Sequence, residues 1–441
     1  MFSVSVIIPT WHYFANPLKL QPLWELYFAT IIDQRLDDKD VKVNVIDLRQ
    51  ARKKEEGIVV DNLSSYIPEN DLYLYWIAKT ADYIEILEIV GKLRDNYPHA
   101  KHVAGGTHVD NFPEECKKYF DSVVVGPGEE SFIKMIKDIL SNSLKKIYKS
   151  DYKDIKYADY PIANREFLTE SSIVNTDLFH KYGKIKGTSA MFSRGCNFRC
   201  SYCVYNVPNF IQMRRPETVE KEINYLKETY NLKGINLRDE ICIPLNPKVA
   251  FPHIEAIGKC DVIWRGQTKV GAKREVLELA RKTGLVELAV GVESVSQQVL
   301  NIINKGQKLE QVREFFKICR DLDIKTKMCL IFGLPGEPKD ILERTYDFID
   351  ETKPDYVNVS GLCPVPGSHM FNNQEHYGFK HIDKDWSKHA HLMFRYSDEE
   401  DFGLPFEYKK TNKWGETFSR KEIIKNIKEM QHYLQDHDMC Y

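Results

Sequence analysis

The sequence lacks most of what marks a membrane, secreted or nucleic-acid-binding protein. No apolar run approaches the roughly 20 residues that cross a bilayer. Charge of neither sign dominates: 62 Lys and Arg stand against 64 Asp and Glu, a formal net charge of −2. Bulk electrostatics therefore gives no support for a nucleic-acid partner. The opening residues MFSVSVIIPT have neither the basic stretch nor the small-residue cleavage site of a secretory leader. Internal repeats and low-complexity tracts are absent. These absences point to a cytoplasmic protein with no membrane partner. What remains is ordinary globular material, 43% hydrophobic and 29% charged over 441 residues. That is enough chain for two or three domains with packed cores. Ten cysteines, scattered apart from one triad, fit a reducing compartment better than a disulfide framework.

In residues 1–150, short apolar runs alternate with helical patterns. Val4–Pro9, Val41–Leu48, Leu72–Ile77, His102–Ala104 and Ser122–Val125 read as strands. Leu20–Leu36, Ala81–Arg94 and Glu129–Leu140 read as helices, the last with acidic residues in its first turn. Five strands alternating with helices predict a Rossmann-like, doubly wound parallel sheet, whose ligand crevice lies at the carboxyl ends of the strands. Those ends carry Thr10 and Trp11, Trp76, the Gly105-Gly106-Thr107 turn, and Gly126, Gly128 and Glu129. Glycines gathered there let backbone approach a large ligand closely. Residues 151–186 read as a Tyr-rich connector.

Residues 187–371 hold six more strand–helix units, which predict a partial (β/α)6 barrel with chemistry at the strands' carboxyl ends. The first strand runs into FSRGCNFRCSYC, where Cys196, Cys200 and Cys203 stand at the spacing C-x3-C-x2-C. Clustered thiols suit a soft metal or an iron–sulfur cluster. Three of them, one short of the usual four ligands, leave a coordination position open. Asp239 and Glu240, Arg265 and Gln267, Glu293, and the segment from Phe332 to Glu337 fall at later strand ends. Residues 372–441 read as a mainly helical C-terminal region. It contains His389, His391, Phe394, Tyr396 and Phe402, and a final helix opened by a capping box of Ser419 and Glu422.

FSRGCNFRCSYC resembles the signature of the radical S-adenosylmethionine (radical SAM) superfamily. GVESVSQQVLNIINKG (Gly291–Gly306) and IFGLPGE (Ile331–Glu337) resemble that superfamily's fourth- and fifth-strand motifs. The resemblance implies a [4Fe-4S] cluster on Cys196, Cys200 and Cys203, whose open iron is chelated by SAM. It implies SAM contacts from Tyr202, Asp239, Arg265, Gln267, Glu293 and Phe332, with Asp239 against Glu240 left open for the SAM ammonium. The GGTH and GPGEE turns and NPLKLQPLWELY resemble the cobalamin-binding domain found upstream of many such enzymes. Thr10, Trp11, Trp76, Gly105, Gly106, Thr107, Gly126, Gly128 and Glu129 would then meet cobalamin. The D-x-H-x-x-G motif that supplies a histidine to cobalt in other corrinoid proteins is missing.

The implied activity is cobalamin-dependent methylation of an unactivated centre in a small-molecule substrate, by way of a 5′-deoxyadenosyl radical and methylcobalamin. An electron donor such as flavodoxin or ferredoxin would serve the cluster. The alternative is a non-methylating rearrangement, cyclisation or dehydration, with or without cobalamin. Methylthiotransferases share the implied architecture but carry three more cysteines upstream, whereas only Cys116 precedes the triad here. The C-terminal region is expected to close the barrel over the substrate. Cys196→Ala is expected to abolish both the iron chromophore and turnover, read by optical spectroscopy and product assay. Full activity in a cluster-free variant would refute the reading.

Overall fold

The structure, a computed structural model, describes residues 1–14, 16–36, 40–51, 66–203, 210–389 and 403–440. The chain divides into two compact units, Met1–Asn175 and Thr176–Tyr441. The division falls inside the stretch read as a connector, and residues 151–175 belong to the first unit.

The first unit is built on a six-stranded, all-parallel sheet. Its strands are β1 (Phe2–Ile8), β2 (Val41–Asp47), β3 (Leu72–Trp76), β4 (Lys101–Gly105), β5 (Ser122–Val125) and β6 (Ile147–Lys149). The order is β2-β1-β3-β4-β5-β6. The expected doubly wound sheet is therefore present, with one strand more than the sequence showed. β6 is three residues at the edge, too short to display a period. The strand order reverses between β1 and β3, which is where such sheets place a ligand crevice. Helices Leu23–Leu36 and Glu129–Leu140 bury apolar residues against the sheet, and Phe28, Trp76 and Phe132 form the aromatic centre of that core.

The second unit carries another six-stranded parallel sheet. Its strands are β7 (Gly187–Ala190), β10 (Gly234–Leu237), β11 (Ile263–Thr268), β12 (Leu285–Glu293), β13 (Lys325–Phe332) and β14 (Tyr356–Gly361). After β7, two strands of two residues each, β8 (Ser193–Arg194) and β9 (Gln212–Met213), pair antiparallel across the cysteine segment. Each main strand pairs with the next in chain order, the arrangement of an open (β/α)6 barrel. Along β13, burial alternates strictly: Thr326, Met328, Leu330 and Phe332 are buried, and Lys325, Lys327, Cys329 and Ile331 are half-exposed. The C-terminal helix Arg420–Asp436 has the expected Ser419–Glu422 capping box and packs on β13 and β14. His391, Phe394, Tyr396 and Phe402 lie outside the described residues.

At the amino end of this sheet Phe179 covers Gly187 and Gly234. A Cβ at either glycine would stand 2.7 or 2.5 Å from the Phe179 ring. Small residues on β7 and β10 and one large plug thus complement each other. Gly234→Ala should overpack this contact and cost about 1–3 kcal/mol, read as a lowered urea midpoint at unchanged m-value.

Candidate active site at the cysteine loop and strand ends

The cysteine loop is tied down by backbone. Gly195 takes φ +100°, a conformation open to glycine, and turns the chain out of β8. Ser201 N donates to Ile303 O at 2.9 Å, Met370 N donates to Ser201 O at 2.9 Å, and Asn304 Nδ2 donates to Arg199 O at 2.9 Å. The loop is thereby fastened to the segment after β12 and to the segment after β14. Cys196, Cys200 and Cys203 are half-buried, and none is in a disulfide with a described residue. Burial raises the Cys196 thiol, and Cys200 and Glu240 push it the same way. Among the described residues no three His, Cys, Asp or Glu side chains converge on a single metal ion. A cubane is wider than one ion and asks its three thiolates to stand further apart. The three thiols share one electrostatic neighbourhood: Lys269 responds to Cys196 and Cys200, and Lys305 to Cys200 and Cys203. A thiol-only donor set with two lysines facing it fits an anionic iron–sulfur cluster.

β12 ends in a distortion. The register between β12 and β13 slips between Gly291 and Glu293, and Glu293 adopts φ +70°. A non-glycine residue held left-handed is costly and marks sites where geometry is over-determined. The twist aims Glu293 at Lys305, whose Nζ donates to Glu293 Oε1 at 2.7 Å and to Tyr202 Oη at 3.2 Å. The two charged side chains are 7% and 11% exposed. Burial lowers the Lys305 ammonium, but Glu293 and the cysteines outweigh it and the net shift is upward. Lys269, just past β11, donates to Lys305 O and stands 3.6 Å over the Phe198 ring. Burial, with Lys305 adding to it, pulls Lys269 down to about 8. Both lysines escaped the sequence reading. Lys305 lies inside the resemblance-bearing segment Gly291–Gly306, the one signal that could have drawn attention to it.

The other candidates are placed unevenly. Asp239 is buried, and its Oδ1 accepts from Phe192 N at 2.9 Å and from Ser193 N. Its carboxylate thus holds the entry to the cysteine loop. Burial raises it to about 6. Glu240 keeps a buried Oε2 without a hydrogen-bond partner, and burial raises it to about 7. Of the two, Glu240 is the carboxylate with an unused oxygen beside Cys196. Arg265 Nε donates to Asn236 Oδ1 at 3.1 Å, and its Nη1 stands 3.4 Å from Glu287 Oε1, midway along the sheet. Gln267, two residues on, stays exposed at the strand end. Phe332 lies in the buried register of β13, and its carbonyl accepts from Leu362 N at 2.8 Å.

In the first unit the β1/β3 switch point holds a charged cluster. Thr10 N donates to Glu85 Oε1 at 2.6 Å, His12 Nδ1 is 3.3 Å from Glu85 Oε2, and Tyr13 Oη donates to Asp82. Trp11, with φ +50°, lies beneath Lys79 Nζ at 4.5 Å and Arg49 Cζ at 5.3 Å. Burial raises Glu25 to about 7 and Asp82 to about 6. Thr10 Oγ1 is buried without a hydrogen-bond partner at the end of β1, an orphan that suits a ligand in the crevice. Gly105 and Gly128 are filled from within: a Cβ there would stand 2.9 Å from Trp76 and 2.5 Å from Phe132. Gly106 and Gly126 have φ +104° and +91°. Thr107 opens a five-residue helix, and Glu129 opens Glu129–Leu140. The His108 ring lies tilted against Tyr83, their centroids 4.1 Å apart.

Residues 191–349 match the Radical SAM superfamily. This chain contains a radical SAM domain. It is 23% identical over 340 residues to bacteriochlorophyllide d C-8(2)-methyltransferase of Chlorobaculum tepidum, covering 73% of this chain and 72% of that one. It is 26% identical over 298 residues to the anaerobic magnesium-protoporphyrin IX monomethyl ester cyclase of Cereibacter sphaeroides, covering 62% of this chain and only 48% of the cyclase. The fold is that of the radical SAM methyltransferase TsrM from Kitasatospora setae, solved with tryptophan and a SAM analogue. The TM-score is 0.66 at 16% identity, covering 100% of this chain and 90% of that one. Another structure of TsrM holds cobalamin and a [4Fe-4S] cluster. No helix among the described residues is long and apolar enough to cross a membrane.

Past β13, Glu337 is buried. Its Oε2 accepts from Gly333 N at 2.9 Å, its Oε1 has no hydrogen-bond partner, and burial raises it to about 8. An ordinary Glu stands at 4.5, so the folded protein binds the extra proton between these values. That contribution to stability is full below the lower value and is lost as pH rises through the upper one. The thermal midpoint should fall between about pH 5 and 9, and Glu337→Gln should reduce that slope. Calorimetric scans across the range check it; an unchanged slope in the variant would contradict it.

Proposed function

We propose that this protein is a cobalamin-dependent radical SAM methyltransferase that acts on an unactivated centre of a small molecule. One observation carries the reading: a three-cysteine loop is fastened to a distorted strand end that presents a buried Glu293–Lys305 pair beside Tyr202. Support for the cobalamin half comes from the parallel first unit with its orphan Thr10 hydroxyl at the switch point, and from the cofactors seen in TsrM. Cys196, Cys200 and Cys203 would hold the cluster, and Thr10, Trp11 and the turns after β4 and β5 would line the cobalamin crevice. When bound, the cluster with SAM would supply an electron and a radical, and cobalamin would supply the methyl group.

The chain's own residues do the rest. Glu293 can accept from ribose hydroxyls. Lys269 and Lys305 offer cations to the SAM carboxylate, and the free oxygen of Glu240 suits its ammonium. Arg265 is spent on Asn236 and Glu287, which leaves Gln267 as the side chain of that strand facing open space. A donor such as flavodoxin or ferredoxin would reduce the cluster.

Lys305→Met should leave Glu293 buried and unpaired, a loss of about 3–5 kcal/mol when a buried pair is broken. SAM binding by the reconstituted protein should fall at least tenfold. Product mass decides the outcome of the whole reaction: methylation adds one CH2, whereas a product isomeric with the substrate, or lighter by water or hydrogen, would move the assignment to the cyclising or dehydrating alternative.

A further inference from the structure

We propose that Tyr408, on the C-terminal segment, is the positioning residue that fixes the Gly333–Glu337 loop for its ligand. The proposal rests on the preceding reading of a SAM site and on the resemblance of Ile331–Glu337 to the fifth-strand motif, which puts Phe332 among the SAM contacts. Gly333 and Gly336 sit at φ +86° and +80°, where glycine is free to move, and the bond from Gly333 N to Glu337 Oε2 closes the loop from within. Further hold comes from outside. Tyr408 Oη donates to Gly333 O at 2.8 Å. Ile423 and Phe406 lie against Gly333, and Ile302 and Trp414 lie against Gly336.

Tyr408 is itself fixed. It sits on β16 (Phe406–Tyr408), paired antiparallel with β15 (Phe379–Ile382). Its ring stacks on Phe379 at 4.9 Å and 10° and meets Phe406 at 5.1 Å. From there contacts run on toward the chemistry. Gly336 rests on Ile302, the next carbonyl, Ile303 O, accepts from Ser201 of the cysteine loop, and Lys305 follows two residues later. One hydroxyl thus steadies both the loop and the segment that carries Lys305. Tyr408 lies outside residues 191–349, so this hold is supplied by the C-terminal region and not by the superfamily core.

Tyr408→Phe keeps the ring stack and removes only the donor, leaving Gly333 O short of a partner. A lost buried hydrogen bond of this kind is worth roughly a fivefold to tenfold change in an equilibrium. Equilibrium dialysis of the reconstituted protein should show SAM held about that much more weakly. The KM for SAM should rise in step, kcat should stay within about twofold, iron content should not change, and the thermal midpoint should fall by no more than about 4 °C. In cofactor-free protein, hydrogen exchange across residues 331–337 should quicken. Unchanged affinity and exchange would overturn the proposal, as would a loss of affinity that comes with lost iron or with a midpoint lowered by more than that. Wild-type protein that binds no SAM would overturn the preceding reading, whereas unaltered exchange in Tyr408→Phe would overturn this one, so the two failures are separately visible.

Discussion

The ion pair between Glu293 and Lys305 is the constraint on which the second unit's chemistry depends. Both charges are nearly out of solvent, and a buried pair is stable only when its geometry is good and its remaining polar atoms are satisfied. Here the geometry comes from the slip between β12 and β13 and the left-handed turn of Glu293. Satisfaction comes from Tyr202, whose hydroxyl meets Lys305, and from Lys269, which donates to the Lys305 carbonyl. Tyr202 lies between two of the cysteines. The pair therefore couples a strained strand end to the position of the thiol loop, and Gly291 beside it leaves room for both side chains: a Cβ there would stand 2.6 Å from Glu293 Oε1.

Each unit solves the same problem in its own way. A parallel sheet gathers its loops at one edge, and those loops must stay ordered while presenting polar atoms to a ligand. In the second unit, order comes from backbone hydrogen bonds and ion pairs around the cysteines. In the first, it comes from carboxylates beneath the β1 turn: Glu85 takes the Thr10 amide, Asp82 takes the Tyr13 hydroxyl, and Lys79 lies over the ring of Trp11. Burial raises Asp82 to about 6 and Glu25 to about 7 in this cluster.

Much of the fold was legible, because period and punctuation report it directly. All six strands of the second sheet, and five of six in the first, were readable as apolar runs ended by Gly, Pro or charged residues. Only Ile147–Lys149, an edge strand with no room for a period, was not. The capping box at Ser419 was equally local. Side-chain roles were less legible. Asp239 and Glu240 are neighbours with the same chemistry, and the backbone alone turns Asp239 onto the Phe192 and Ser193 amides while leaving a Glu240 oxygen free. Trp76 looked like a crevice residue by its place at a strand end, but its ring packs inward between Phe28 and Phe132, and Gly105 and Gly128 are small enough to admit it.

The sequence by itself determined the two parallel sheets, the order of strands and helices, and the thiol triad, because each is written in residue spacing over a few positions. Tertiary structure alone decided that Lys269 and Lys305 belong to the cysteine loop, that Arg265 is consumed by Glu287, and that a tyrosine more than seventy residues beyond the fifth strand steadies its loop. Lysines, arginines and tyrosines stand at many surface positions in any chain. What singles these out is burial beside a partner distant in sequence, and spacing along the chain carries no record of that.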